Sequence, residues 1–356
     1  MIKKECFTAE WIEQVSSELH YNDKNLIEKV IRALSLLEML VKAGCPLVFK
    51  GGTALMLILG KSAHRLSIDI DLICPPGTNI EDYLKSFADF GFINLELVER
   101  KQRDDADIPK SHSKFFYQIA YRNDTDAQSY ILLDVLYEDI HYFRTQQIAI
   151  NCPFIRLEGK PLMVTVPSAE DILGDKLTAF APNTTGIPYY RNGRSCSMEI
   201  AKQLYDVGRL FENVSDLQIT KEAFRKIAVV ELSYRSFGTD IGQVFNDIRQ
   251  TALCISTRGK AGEGDFDLIQ DGIIRVKSFM YKQRYLIDHA IIDAARAAYL
   301  ATLIEKGINE IESYSNNPAD IKDMVIRPSL PNKLNKLRSN LPEAYYYWAK
   351  TSGLLE

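Results

Sequence analysis

The chain has little of what marks several common functional classes. Its six cysteines, Cys6, Cys45, Cys74, Cys152, Cys196 and Cys254, are scattered, with no C-x-x-C pair among them. That spacing excludes a dense disulfide scaffold and the usual zinc modules, and the thiols read as reduced. No apolar run approaches the roughly 18 residues of a membrane-spanning helix. The opening "MIKKECFTAEWIEQ" is broken by charge too early for a targeting segment, so the expectation is a soluble cytoplasmic protein without a membrane partner. Positive charge is not in excess either: 43 Lys and Arg face 47 Asp and Glu, a formal net charge of -4. There is no global basic field, and any site for a polyanion has to be local. Internal repeats and low-complexity segments are also missing.

What is present is enough for two domains: 356 residues, 46% of them hydrophobic. Residues 22–44 carry apolar side chains at helical spacing (Leu26, Val30, Ala33, Leu37, Leu40), with Gly44 just past the end, and predict a helix. A short strand "PLVFK", a small-residue turn into a helix "GGTALMLILG", and a strand "LSIDIDLI" follow. A further helix is expected from about Ile80 to Phe90. Three strand-like runs come next, "FINLELVE", "KFFYQIAYR" and "YILLDVLYE", separated by the polar loops "RKQRDDADIPKSHS" and "NDTDAQS". From Ser168 onward helical periodicity dominates. The expected fold is α+β: residues 1–165 form a mixed-sheet domain, and residues 166–356 a mostly α-helical one.

The stretch "HRLSIDIDLIC" carries the chemistry. In a strand, alternate side chains share a face, so Ser67, Asp69 and Asp71 line one side while Leu66, Ile68, Ile70 and Leu72 line the other. Two carboxylates on one face repel each other and call for a cation, and Mg²⁺ favours one or two protein carboxylates together with substrate phosphates. An isolated D-x-D also fits a half-exposed strand that shows polar residues to water. Upstream, Gly51, Gly52 and Thr53 open a helix whose N–H groups suit a phosphate. Downstream, Asp134 is the one charged residue of "YILLDVLY", either a structural acid or a third ligand. Together the three acids make the set that two-metal phosphoryl or nucleotidyl transfer needs. Arg65 shares the face of Ser67, and either reaches a phosphate or serves a structural salt bridge.

"GGTAL" followed by "HRLSIDIDL" resembles the AbiEii/MenT nucleotidyltransferase toxin family, whose catalytic domain is similar to the polymerase β-like nucleotidyltransferase fold. Gly52-Thr53 stands where the wider superfamily has G-S, and the interval to Asp69 is longer. Two more family elements match: "PSAEDILGDKLTAF" carries the family's lysine as Lys176, and "AKQLYDVGRL" resembles K-D-x-Y-D-L, with Gln203 for its first acid and Asp206 as its second. The resemblance spans roughly residues 45–211. It implies Mg²⁺-dependent transfer of a nucleoside monophosphate from an NTP to a hydroxyl. Asp69, Asp71 and Asp134 would be catalytic ligands of two Mg²⁺ ions. Gly51, Gly52, Thr53, Arg65, Ser67 and Lys176 would bind the nucleotide, and Lys176 and Asp206 would join the catalytic set. It also implies an RNA acceptor, the tRNA 3′ end, an AbiEi-like antitoxin partner and a role in phage defence.

Read without the family, Lys176 lies between Ile172 and Phe180 on one helix line, where a lysine can also snorkel, and Asp206 could form an i, i+4 pair with Lys202. For RNA, the candidate patches are "RVKSFMYKQRY" (Arg275, Lys277, Lys282, Arg284) and the tail with Lys333, Lys336 and Arg338, each equally readable as a solvated or packing segment. Competing functions are modification of a small molecule or protein hydroxyl, and a non-catalytic nucleotide-binding regulator.

Overall fold

The computed structural model describes residues 1–98, 110–122, 127–214, 216–235 and 240–356. Most of the tract 100–113 and residues 123–126, read above as loops, lie outside them. The chain divides into two compact units, Met1–Ser168 with Ser278–Arg284, and Ala169–Lys277 with Tyr285–Glu356.

In the first unit, α1 (Ala9–Glu18) and α2 (Lys24–Lys42) precede β1 (Val48–Lys50), α3 (Gly51–Leu59) and β2 (Ile70–Cys74). Then come β3 (Asn94–Val98), β4 (Lys110–Gln118) and β5 (Gln128–Tyr137), with the separate pair β6 (Thr145–Ala149) and β7 (Met163–Pro167). The five-stranded sheet runs in the order β1-β2-β5-β4-β3, with β2 and β5 parallel and the other pairs antiparallel. The sheet is therefore mixed, as expected. The expected helix at 80–90 is instead two short 3-10 turns, Ile80–Tyr83 and Phe87–Phe90. Its buried residues, Ile80, Leu84, Phe90 and Phe92, are spaced 4, 6 and 2 apart and make no single helical stripe.

Helix α2 starts where Asp23 accepts a hydrogen bond from the Leu26 N–H (3.1 Å), and its apolar stripe is buried as the periodicity requires. Two charges are buried with it. Arg32 donates to Glu28 at 3.2 Å and lies over the rings of Phe7 and Tyr117, while Glu28 also accepts the Ala120 N–H. Each group thus has the partners that make its burial tolerable.

The seven residues Ser278–Arg284 belong to the first unit although they follow the helical half in sequence. Leu66 N–H donates to Phe279 O (2.8 Å), Tyr281 N–H to His64 O (3.1 Å), and the Tyr281 hydroxyl to Ala63 O. The Tyr281 ring packs edge-on against Phe154. A continuous helix is not found through "LIQDGIIRVKSFMYKQRYL". It stops at Val276, because Tyr281 is buried in the sheet domain.

The second unit contains α4 (Ala169–Ala179), a hairpin of β8 (Tyr190–Arg191) and β9 (Arg194–Ser195), α5 (Ser197–Phe211), α6 (Leu217–Ser233), α7 (Ile241–Ser256), α8 (Phe266–Val276), α9 (Ile287–Lys306), α10 (Leu337–Asn340) and α11 (Pro342–Leu354). Helices α5 and α9 approach closely at Gly208, where a methyl group would overlap the Asp293 carboxylate. Asp293 faces Arg209 (3.7 Å) and Arg296 (3.4 Å), yet its burial dominates and pushes its carboxyl up to about 6.

A folded-state pKa above the unfolded value means the native state holds the proton more tightly. The associated stability is full below about pH 4 and is lost as pH rises through about 6. Asp293→Asn should therefore remove a slope worth about 3 kcal/mol between pH 4 and 7 from the difference in unfolding free energy, measured by urea denaturation across that range. An unchanged pH profile would show that Asp293 does not titrate there.

Candidate active site

The turn between β1 and α3 is built for close approach. Gly51 has φ +77, a conformation that side chains rarely adopt, and a Cβ there would overlap the Asp71 carboxylate. At Gly52 a Cβ would fall 2.7 Å from Ser67 Oγ and 3.0 Å from Arg65 Nη2. The two glycines thus let the Asp71 carboxylate, the Ser67 hydroxyl and the Arg65 guanidinium lie against bare backbone at the head of a nine-residue helix. Gly51, Gly52, Arg65, Ser67 and Asp71 are brought to one place.

Sheet register supplies the next acid. Asp71 on β2 stands beside Asp134 on the parallel strand β5, and opposite Lys50 on β1. Asp71 is half-buried and the Asp134 side chain is 38% exposed, so both carboxylates can meet a solvated ligand. Asp69 precedes the strand, which begins at Ile70. Among the described residues no three of the His, Cys, Asp and Glu side chains are grouped as a metal cage. What is assembled is the register pair Asp71 and Asp134, with Asp69 in the lead-in.

Two local interactions differ from expectation. The buried Thr53 hydroxyl donates its single proton to the Asp69 carbonyl oxygen at 2.7 Å. Thr53 therefore fixes the head of α3 to the backbone of Asp69 and has no proton left for a phosphate. Arg65 is also buried, and its Nη1 donates to Leu66 O at 3.0 Å, which engages one side of the guanidinium structurally.

Sequence reasoning missed His112. Strand β4 begins at Lys110, four residues before the expected run, so "KSHS" is strand and His112 pairs directly across from Asp134. The His112 Nδ1 hydrogen-bonds Asp134 Oδ1, and the ring is 11% exposed. The signal was the alternation Ser111, Ser113, Phe115, Tyr117 against His112, Lys114, Phe116, hidden by the polar character of the first four residues.

In the second unit, Lys176 on α4 meets Asp206 on α5 at 3.1 Å and donates to Gln203 Oε1 at 2.9 Å. Their side chains are 8% and 2% exposed, so the lysine is buried with its acid and does not snorkel to solvent. Gln203 supplies with its amide oxygen an acceptor where the family pattern has an acid. The candidate residues thus fall into two groups, one in each unit.

Among solved structures, the chain is similar to JHP933 from Helicobacter pylori (15% identity, TM-score 0.40, covering 86% of this chain and 95% of that one). It is also similar to MenT4, a nucleotidyltransferase toxin from Mycobacterium tuberculosis (13% identity, TM-score 0.40, 95% and 98% covered). No curated protein matches it. The model of one family, described as nucleotidyl transferase AbiEii toxin of type IV toxin–antitoxin systems, matches residues 34–318, and the chain belongs to that family of nucleotidyltransferase enzymes.

Proposed function

We propose that the protein transfers a nucleoside monophosphate from an NTP to an acceptor hydroxyl on RNA, at the 3′ end of tRNA, with Mg²⁺ as cofactor, and that a cognate antitoxin restrains it in a phage-defence role. The observation that carries the reading is the Asp71 carboxylate lying against the glycine-led start of α3, with Asp134 beside Asp71 in register. Two adjacent oxygen-donor side chains with water access suit a hard divalent cation, which keeps most of its other sites for water and phosphate. Asp71 and Asp134 would hold Mg²⁺, with Asp69 as the remaining candidate for a second ion. Bound there, the metal would lower the pKa of the attacking hydroxyl and neutralise phosphate charge.

The chain's own groups do the positioning. The N–H groups of Gly51 and Gly52 and the α3 dipole favour the triphosphate, and Ser67 with the outer edge of Arg65 lines the same recess. His112 hydrogen-bonds Asp134 Oδ1 and so orients the carboxylate, whose second oxygen would serve as the metal ligand. Lys176, which meets Asp206 and donates to Gln203 within the second unit, keeps the nucleotide-binding role that the family resemblance implies.

Asp71→Asn and Asp134→Asn should each lower incorporation of labelled NTP by about 100-fold or more, because several kcal/mol of charge stabilisation is removed, with folding intact by circular dichroism. Retained activity in either would remove that residue from the site. Gly51→Ala should displace the Asp71 carboxylate and abolish the thermal shift produced by Mn²⁺, at a stability cost of about 1–3 kcal/mol. Lys176→Ala alone removes the cation that Asp206 meets on α4, so it disturbs the packing of α4 on α5 as well as any nucleotide contact. The informative variant is Lys176→Met with Asp206→Leu: it should recover stability but not NTP affinity, and full recovery of both would make the pair purely structural.

A further inference from the structure

The second unit carries a cationic element that the proposed chemistry does not use. Strands β8 and β9 form a two-residue hairpin closed by Asn192 (φ 51) and Gly193 (φ 73), the signature of a type I′ turn. Arg191 and Arg194 pair directly across it, and neither guanidinium has an ion pair or hydrogen bond among the described residues. Like charges at directly opposed positions destabilise a hairpin, so this pair is poised for an anion from outside. On the other face Tyr190 is 57% exposed. The tip stands clear, since a Cβ at Gly193 would meet nothing within 4 Å.

A two-residue hairpin has little stability of its own, and here its base is fixed from several sides. Cys196 N–H donates to Tyr189 O (2.9 Å) and Ser197 N–H to Ser195 Oγ (3.2 Å). The preceding loop is clamped twice. Buried Asp247 accepts from Asn183 N–H (2.9 Å), Asn183 Nδ2 (2.8 Å) and Thr184 Oγ1 (2.8 Å), while Arg235 donates to the carbonyl oxygens of Thr184, Thr185 and Gly186. The arm is preorganised, so little ordering cost falls on binding.

Three of the basic residues singled out in the sequence are engaged with backbone. Lys282 donates to Lys61 O, Lys333 to Lys260 O, and Arg338 to the carbonyl oxygens of Ile321 and Lys322. Arg275 pairs with Asp271 (3.8 Å), and Lys277, Arg284 and Lys336 are exposed; the hairpin differs in setting two arginines directly opposite each other with an exposed tyrosine on its other face.

We infer that the β8–β9 hairpin is a docking element for single-stranded RNA, with Arg191 and Arg194 on consecutive phosphates and Tyr190 stacking on a base. This rests on the RNA-acceptor reading above and gives it a location. A flexible single strand can drape over a narrow tip and meet cations on one face and a ring on the other, which a rigid duplex cannot. Strands of two residues offer too short an edge for an acidic peptide to add to the sheet.

The test compares the full-length wild type with Arg191→Gln/Arg194→Gln and with Tyr190→Ser, by fluorescence anisotropy on a labelled single-stranded RNA oligonucleotide and on deacylated tRNA. The double variant should weaken binding about tenfold or more and flatten the salt dependence by about 1.4 in the log–log slope, two phosphates' worth. Tyr190→Ser should weaken it about fivefold or more with the slope unchanged. The thermal midpoint of the double variant should stay level or rise, because a repulsion is removed, and a fall would mark a structural role and overturn the inference. Wild type that binds and modifies RNA, with both variants unaffected, overturns the hairpin assignment alone. Wild type that binds no RNA and labels a protein or small molecule overturns the acceptor reading with it. Displacement of the RNA by poly-L-glutamate as readily as by competitor RNA would assign the arm to an acidic protein partner instead.

Discussion

The site depends on one close approach: the Asp71 carboxylate lies where a side chain of residue 51 would have to be. Only glycine leaves that space, and only glycine adopts φ +77 there without strain. This approach allows the tight passage from β1 into α3 while β2 lies between β1 and β5. Parallel pairing of β2 with β5 then brings Asp134 beside Asp71 without any further device. A carboxylate beside a helix N-terminus is already in a favourable field, and under the proposed function a second one next to it would make that corner suit a cation.

Period-two alternation was legible around Ile70, Asp71 and Leu72, because a sheet fixes the direction of each side chain by parity. It was less informative before Ile70. Residues 66–69 are held by contacts distant in sequence: Thr53 on the Asp69 carbonyl and the returning segment Ser278–Arg284 on His64 and Leu66. No periodicity encodes such contacts, and the mixed basic and aromatic composition of "RVKSFMYKQRY" did not reveal that part of it packs into the first unit. Tyr281 shows why: an aromatic ring between lysines can as well be the anchor that buries itself while the lysines stay at the rim. His112 was hidden by a related error, a polar strand start taken for a loop.

The helical half shows a different limit. Helix spacing tells which residues share a face, and it grouped Ile172, Lys176 and Phe180 correctly, since all three are buried. It could not tell what faces them. A lysine on a buried face must find an acid, and Asp206 was present in the sequence with a nearer candidate, Lys202, four residues away. Spacing along α5 could not point to Lys176, which meets Asp206 from a different helix, and Asp206 is buried at 1% exposure. Gln203 explains how the family's acid can be replaced here: the lysine already has one carboxylate, and a neutral acceptor completes its shell without adding a second buried charge.

Charge counting also needs this distinction between engaged and unengaged groups. A net charge of -4 predicts no long-range attraction for a polyanion, so recognition has to rest on a few cations whose field is not cancelled nearby. Guanidinium and ammonium groups that donate to the protein's own carbonyl oxygens are poor candidates, since leaving those oxygens unpaired costs what a new contact would gain. Arg191 and Arg194 carry no such debt. Their mutual repulsion raises the energy of the free state, and an anion between them lowers it, so the same two residues that look like a flaw in an isolated hairpin become an advantage in a complex. The base of the arm is closed by the Cys196 N–H on Tyr189 O, and the loop before it is held by Asp247 and Arg235, so the strands that carry the two arginines are kept paired.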